Sequence, residues 1–551
     1  MMKIINFKWL FLIVIFGACL RFSNLALMPP SLNWDEVSHG YNAYSILKTT
    51  KDEWGQFLPL ANFRAYGDYP LPLNLYLTIP FEIIFGLNQV AIRLPHALLG
   101  TLSIISIYFL AFGLTKNKKI SLFASFLASI DPWLLFPSRA VFQSNLSVFL
   151  LTTAFALFFN REKNRFFLLL TFLLLGLSLF SYHTTRILTP ILLVAISIIY
   201  FKSLTIKLKT NKKYLITSII LILLFSGSLP FILLNPAARA RSNVVFLIDQ
   251  GAINTIENLR ASSRSPFKSL LYNKVTYFSV NFAKNYINYF SPNFLFLKGG
   301  TQYQFSVPNN GVLYLVESPF FYLGIVFLLI KSIKNKDYRF ILLWLILSPI
   351  PAAITQDSNA VIRSTTMLPI PQILVALGFY EILKKFPKYE TAATITFTLL
   401  LALSLENYLN VYVNDYRTNY SWAWQYGYKE VVDYTESNYS KYDEIITTKA
   451  YGEPHEFFLF FLRYDPSKFQ TDPNKIAFYQ SNWYWVDHFD RFWFVNDWQV
   501  KDLITESKHK IDCSTKKCLV ITTPNNAPVG FVKINEVKFL DGKTAFEMYR
   551  N

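Results

Sequence analysis

The sequence predicts a polytopic α-helical membrane protein that carries a separate mixed α/β domain in its C-terminal part. Three observations carry that expectation. Charged residues make up only 16% of the 551 residues, against about 25% in soluble proteins, while hydrophobic residues reach 52% and aromatics 17%. The basic excess is uneven: residues 406–551 hold 17 of the 53 Lys and Arg and 20 of the 35 Asp and Glu, a net of −3, which leaves +21 to the first 405. Finally, apolar runs long enough to cross a bilayer, about 17–25 residues, recur along residues 1–405 and are separated by short polar breaks. With 52 Phe, 19 Gly and 3 Cys, disorder, collagen and a disulfide scaffold are excluded.

Taken in order, the apolar runs begin near Trp9, Ile92, Ile120, Asn145, Phe166, Ile187, Tyr214, Val312, Phe340, Met367 and Thr391. Alternate breaks are Lys/Arg clusters: 115–119, 161–165, 202–213, 331–339 and 384–388. The breaks between them, such as 182–186 and 356–363, carry little charge. The positive-inside rule assigns the clusters, and the N-terminus with Lys3 and Lys8, to the cytoplasm. Residues 71–87 are apolar enough to span, yet a crossing there would turn all five clusters outward. They are read as an interfacial helix bearing Pro80 and Glu82. This gives about eleven spans in a domain over 1–405, with extracytoplasmic loops at 27–91 and 235–311 and an extracytoplasmic domain at 406–551. The first run is read as a span rather than a cleaved signal peptide, because Phe16 and Arg21 fit a cleavage site poorly. There is no internal repeat and no glycine-rich phosphate loop opening a helix, so a nucleotide fingerprint is unsupported.

In the C-terminal domain, helices are expected over 430–439 and 455–464, and strands over 444–448, 518–523 and 532–539. Cys513 and Cys518 lie in an expected hairpin, where an extracytoplasmic setting favours a disulfide. Cys19 falls in the first span, and no zinc spacing is present. Trp483, Trp485, Trp493 and Trp498 crowd around Asp487, Asp490 and Asp497. Such aromatics form either a small core or a surface for sugar rings.

Asp35 and Glu36 follow the first span by about ten residues. Such a pair has two readings. It can supply a general base, since burial and mutual repulsion raise one carboxyl. It can equally mark a helix N-terminus, with Asp35 as cap and Glu36 favouring the dipole.

The order of the motifs resembles that of the GT-C glycosyltransferases, in particular the protein O-mannosyltransferase and lipid A aminoarabinose-transferase superfamily. Asp35-Glu36 opens the first extracytoplasmic loop, Tyr69-Pro70-Leu71-Pro72-Leu73 opens a proline-bearing juxtamembrane helix, and Arg93-Leu94-Pro95 enters the next span. Ser138-Arg139 follows the third span, and the resemblance covers roughly residues 1–405. It implies transfer of a sugar from a polyprenyl-phosphate donor to an extracytoplasmic acceptor, which is a protein, a lipid or a cell-envelope glycan. Asp35 falls where the family's base lies, Glu36 becomes its electrostatic partner, and one direct displacement inverts the anomeric carbon. The chain departs from the pattern in two places. No Lys precedes the Pro-bearing turn, where Arg64 is the substitute, and no acid follows Arg139, where Asp131 is the candidate second acid. That second departure leaves a divalent metal unsupported, and the lipid-linked sugar stands as the donor.

Arg139, Arg186 and Arg363 sit in the sparsely charged outer breaks, so they are candidates for the donor phosphate. His183, Arg239 and Arg241 are further polar residues of that face, whereas Arg21 and Arg93 read as span-end arginines reaching headgroups. Expected partners are the lipid-linked sugar, its acceptor and membrane lipids, and no nucleic acid. The expected location is the cytoplasmic membrane, crossed several times. A flippase for a lipid-linked saccharide and a structural component of an envelope-assembly complex remain alternatives. A flippase would place charge in the middle of its spans, and these are nearly charge-free.

Overall fold

The computed structural model describes residues 2–164, 166–210, 245–480, 483–501 and 511–551, with isolated positions between 216 and 227. Five helices open the chain: α1 (Met2–Phe22), α2 (Trp34–Thr49), α3 (Pro72–Phe85), α4 (Gln89–Thr115) and α5 (Lys118–Ile130). Further helices cover Gln143–Phe159, Phe166–Ser178, Thr185–Thr210, Ser318–Lys334, Lys336–Leu347, Ile370–Lys385 and Glu390–Asn410. A helix therefore stands at each expected run except the one near Tyr214, which lies mostly outside the described residues, as do Arg239 and Arg241. Among the described residues four helices are long and apolar enough to cross a membrane, or five if the pair 118–130 and 132–139, bent by 64°, is one span. Shorter apolar helices cover Pro72–Phe85, Gln143–Phe159 and Phe166–Ser178.

The chain divides into two compact units. The first comprises residues 1–23 and 96–409, the second residues 24–95 and 410–551. Residues 24–95 thus group with the C-terminal part.

In the helical unit, Arg21 does not reach outward as expected. It is fully buried, donating to the carbonyls of Ala128 and Ser129 at 2.9 Å and of Gly17 at 3.0 Å. Its guanidinium satisfies carbonyls that the end of α5 leaves without partners.

The second unit is built on a seven-stranded sheet in the order β2-β3-β4-β1-β5-β7-β6. The strands are β1 (Glu444–Thr448), β2 (Ile476–Gln480), β3 (Trp483–Phe489), β4 (Phe492–Val495), β5 (Cys518–Thr522), β6 (Val532–Lys538) and β7 (Thr544–Arg550). β1 pairs in parallel with β4 and β5, and the other pairings are antiparallel. Both β1 and β5 are buried at every residue, the pattern of central parallel strands. Cys513 and Cys518 are joined in a disulfide within a core of Ile446, Val495, Val500 and Val520. The helix Pro454–Phe461 packs against α2. Gly40 is the point of closest approach there, because a Cβ would sit 2.6 Å from the Phe460 ring. On another side of α2, Ala43 and Ile46 pack with Phe63 and with Leu75 of α3.

Candidate active site

The N-terminus of α2 is set by Asn33, not by Asp35 as one reading of the pair expected. The Asn33 side chain accepts from the Glu36 amide at 3.0 Å, and the Glu36 carboxylate accepts from the Asn33 amide at 3.4 Å, which makes a capping box. Glu36 also takes two bonds from Arg93, from Nε at 2.9 Å and Nη2 at 2.7 Å. Both side chains are fully buried. Arg93 donates further to the carbonyls of Leu25, Pro29 and Ser31. It is therefore a buried cross-link of the first loop, not a residue at the headgroups. Glu36 is engaged in that cross-link.

Asp35 faces elsewhere. It is half-buried and accepts a hydrogen bond from the Tyr66 hydroxyl. Tyr66 stands at the tip of a turn closed by Phe63 N–H to Pro70 C=O at 2.8 Å and Ala65 N–H to Asp68 C=O at 3.0 Å. The turn lies along β3, where the Tyr484 amide donates to the Tyr66 carbonyl at 2.8 Å. The Tyr66 ring packs on Trp483 with centroids 5.2 Å apart, and on Trp34 at 5.8 Å. Trp483 in turn donates its indole N–H to Glu453. The carboxyl of Asp35 thus sits at the edge of an aromatic wall, held by a phenol and left partly open.

Gly67 allows this approach. A Cβ there would meet the Trp483 ring at 2.1 Å. Gly67→Ala is expected to displace the tryptophan and cost about 1–3 kcal/mol, read as a lower melting temperature together with a shift in tryptophan emission.

Arg64 packs among aromatic rings. Its guanidinium stacks on Tyr484 at 4.1 Å, Tyr479 at 4.3 Å and Trp54 at 5.3 Å. Successive side chains of a strand point to opposite faces, so Tyr484 and Arg64 lie on the face of β3 opposite Trp483. Arg64 and Asp35 are not brought together.

Behind α2 lies a group of carboxyls that the sequence did not single out. Glu53 and Glu456 are fully buried side by side, with Glu453 and His455 adjoining. His455 Nδ1 is 3.5 Å from Glu453 and Nε2 3.7 Å from Glu456. Burial holds Glu53 up to about 8, aided by the neighbouring Asp52 charge, and Glu456 well above the carboxylate range. Burial likewise raises Glu453 to about 7 and Asp52 to about 6. His455 is held down to about 3, again chiefly by burial. Between about pH 4.5 and 8 the native chain keeps a proton on Glu53 that the unfolded chain has lost, so stability falls as pH rises through that window. His455 acts in the opposite direction, but only below about pH 6.5, where the unfolded chain protonates it. The melting temperature is therefore expected to fall from pH 6.5 to 8, and Glu53→Gln is expected to flatten that slope. An unchanged slope in the variant would exclude Glu53 as its source.

The remaining candidates belong to the helical unit. Arg139 is buried and donates to the carbonyls of Leu20, Arg21 and Ser23, which caps the end of α1. Asp131 is fully buried at the bend between 118–130 and 132–139, accepting from Gln372 at 2.8 Å and facing Glu317. Arg186 and Arg363 are half-buried, bonded respectively to the Leu179 carbonyl at 3.1 Å and the Thr355 hydroxyl at 3.0 Å. The buried phenol of Tyr289 lies within electrostatic reach of both Arg363 and Tyr182, so the two sparsely charged breaks approach each other there. Among the described residues no group of three or more His, Cys, Asp or Glu is arranged to hold a metal ion.

Sequence reasoning missed Tyr66, Glu53 and Glu456. Tyr66 has no signal beyond lying next to Gly67. Glu53 and Glu456 each follow another acid within three residues, a weak signal in polar segments.

Comparison with known proteins agrees with this architecture. Residues 68–231 match the family model described as dolichyl-phosphate-mannose-protein mannosyltransferase. The structure of ArnT from Cupriavidus metallidurans in the apo state superposes with a TM-score of 0.53 at 11% identity, covering 98% of each chain. The same protein bound to undecaprenyl phosphate gives 0.52 at 12% identity, again over 98% of each. The archaeal oligosaccharyltransferase AglB from Archaeoglobus fulgidus, in complex with an inhibitory peptide and a dolichol-phosphate, gives 0.49 at 14% identity. The match covers 83% of this chain and 63% of that one. No curated protein matches the sequence. The fold is GT-C-like, with a β-sheet domain in its C-terminal part.

Proposed function

We propose that this protein is a membrane glycosyltransferase that moves one sugar from a polyprenyl-phosphate carrier to an acceptor outside the cytoplasm, with Asp35 as the general base. The observation that carries this reading is the division of labour within the acidic pair. Glu36 is consumed by Arg93, while Asp35 is held by Tyr66 at an accessible edge. A hydroxyl attacking an anomeric carbon must lose a proton, and a positioned carboxylate takes it. The phenol of Tyr66 holds the carboxylate at that edge. The leaving lipid phosphate gains charge as the bond breaks, for which a guanidinium fork is the natural stabiliser. Arg186 and Arg363 of the helical unit are the residues we assign to it. In this reading the basic loops are cytoplasmic, about eleven segments cross the membrane, and Asp35 and the C-terminal sheet lie outside.

Reconstituted vesicles holding a polyprenyl-phosphate hexose labelled in the sugar test this against the alternatives. A transferase releases lipid phosphate as the label moves to an acceptor. A flippase moves intact lipid between leaflets, and a structural component does neither.

A further inference from the structure

The face of β3 that carries Trp483 continues past the candidate base. Trp483 and Trp485 alternate along one face of the strand, and Asp487, at a register shift of β3 against β2, is joined to them through Lys449. The rings of Trp483 and Trp485 are 6.1 Å apart. Lys449 pairs with the Asp487 carboxylate and lies over the Trp485 ring, 4.8 Å from its centroid. All three β3 residues are half-buried, so ring and carboxylate surface reaches solvent. At the near end, Trp483 packs on Tyr66, the residue that holds Asp35. One continuous face therefore runs from the base through two indoles to an ion pair.

That pattern matches a saccharide. A pyranose presents C–H bonds on its faces and hydroxyls around its rim, so it fits indole faces flanked by a carboxylate that accepts hydrogen bonds and an ammonium that donates them. A peptide laid here as an added strand finds less. The backbone of β3 is paired with β2 on one side, and on the other its Tyr484 amide is taken by the Tyr66 carbonyl, which removes a main-chain donor that strand addition uses.

We propose that the acceptor is a saccharide chain, seated along β3 on Trp483 and Trp485, with the Lys449–Asp487 pair at its far end and its terminal hydroxyl delivered to Asp35. This rests on the transferase reading above and names the acceptor class for the same site.

The test uses the purified full-length protein and four probes: linear tetrasaccharides of glucose, of mannose and of N-acetylglucosamine, and a Ser/Thr-containing decapeptide. Binding is read by saturation-transfer NMR. At least one tetrasaccharide is expected to bind saturably. Trp485→Ala is expected to weaken it at least tenfold, Trp485→Phe to restore most of it, and Trp422→Ala, at an exposed position outside β3, to bind like wild type. Failure of every tetrasaccharide to bind, equal binding by Trp485→Ala, or binding of the decapeptide instead overturns the proposal. Release of polyprenyl phosphate by wild-type protein is measured separately. If release is absent while Trp485-dependent saccharide binding persists, the transferase reading falls and the saccharide platform stands.

Discussion

Asp35→Asn is expected to lower sugar transfer by about 10²–10⁴-fold while moving the melting temperature by no more than about 2 °C. Asn has the shape of Asp and keeps an oxygen to accept from the Tyr66 hydroxyl, so the aromatic wall stays in place. Only basicity is lost. The amide cannot take a proton from an attacking hydroxyl, and the adjacent Glu36 is bound to Arg93. Transfer assays paired with melting curves on the same preparation check both halves. Full activity in this variant would end the assignment of Asp35 as base.

Arg93→Met is expected to act on stability. It leaves the Glu36 carboxylate buried without its cation and takes the donors from three loop carbonyls. Breaking a buried pair from one side costs about 3–5 kcal/mol, a large share of the roughly 5–15 kcal/mol that holds a domain folded. The melting temperature is expected to drop by about 6–20 °C. Combining Arg93→Met with Glu36→Leu removes both charges and is expected to recover part of that loss, since the isolated buried charge is its largest component. A single variant that melts like wild type would show that the pair contributes little.

The helical part of the fold was legible because span length and apolar periodicity are local properties. The helices Gln143–Phe159, Phe166–Ser178 and Thr185–Thr210 begin within two residues of where the apolar runs place them. The strand expected over 444–448 is β1 with the same bounds, because a short apolar run between polar turns leaves few other readings. β3 and β4 were not legible as strands. Trp483–Phe489 and Phe492–Val495 are almost continuously aromatic and apolar, without the alternation that marks a half-buried strand.

The acidic pair shows where local reasoning stops. The capping pattern Asn33-x-x-Glu36 was present in the sequence, but two adjacent acids outweighed the asparagine before them. The partner of Glu36 is Arg93, 57 residues away, and no period links such positions. For the same reason the grouping of residues 24–95 with 410–551 was invisible: the segments lie more than 300 residues apart in the chain, and what joins them is packing between α2 and the helix Pro454–Phe461.

Direct displacement assisted by Asp35 has one most direct test. Wild-type protein is given a polyprenyl-phosphate hexose carrying ¹³C at the anomeric carbon, and the anomeric signal of the product is followed by NMR as lipid phosphate is released. The account predicts a product of inverted anomeric configuration, formed in step with that release. A product of retained configuration, or no release of lipid phosphate, would contradict it.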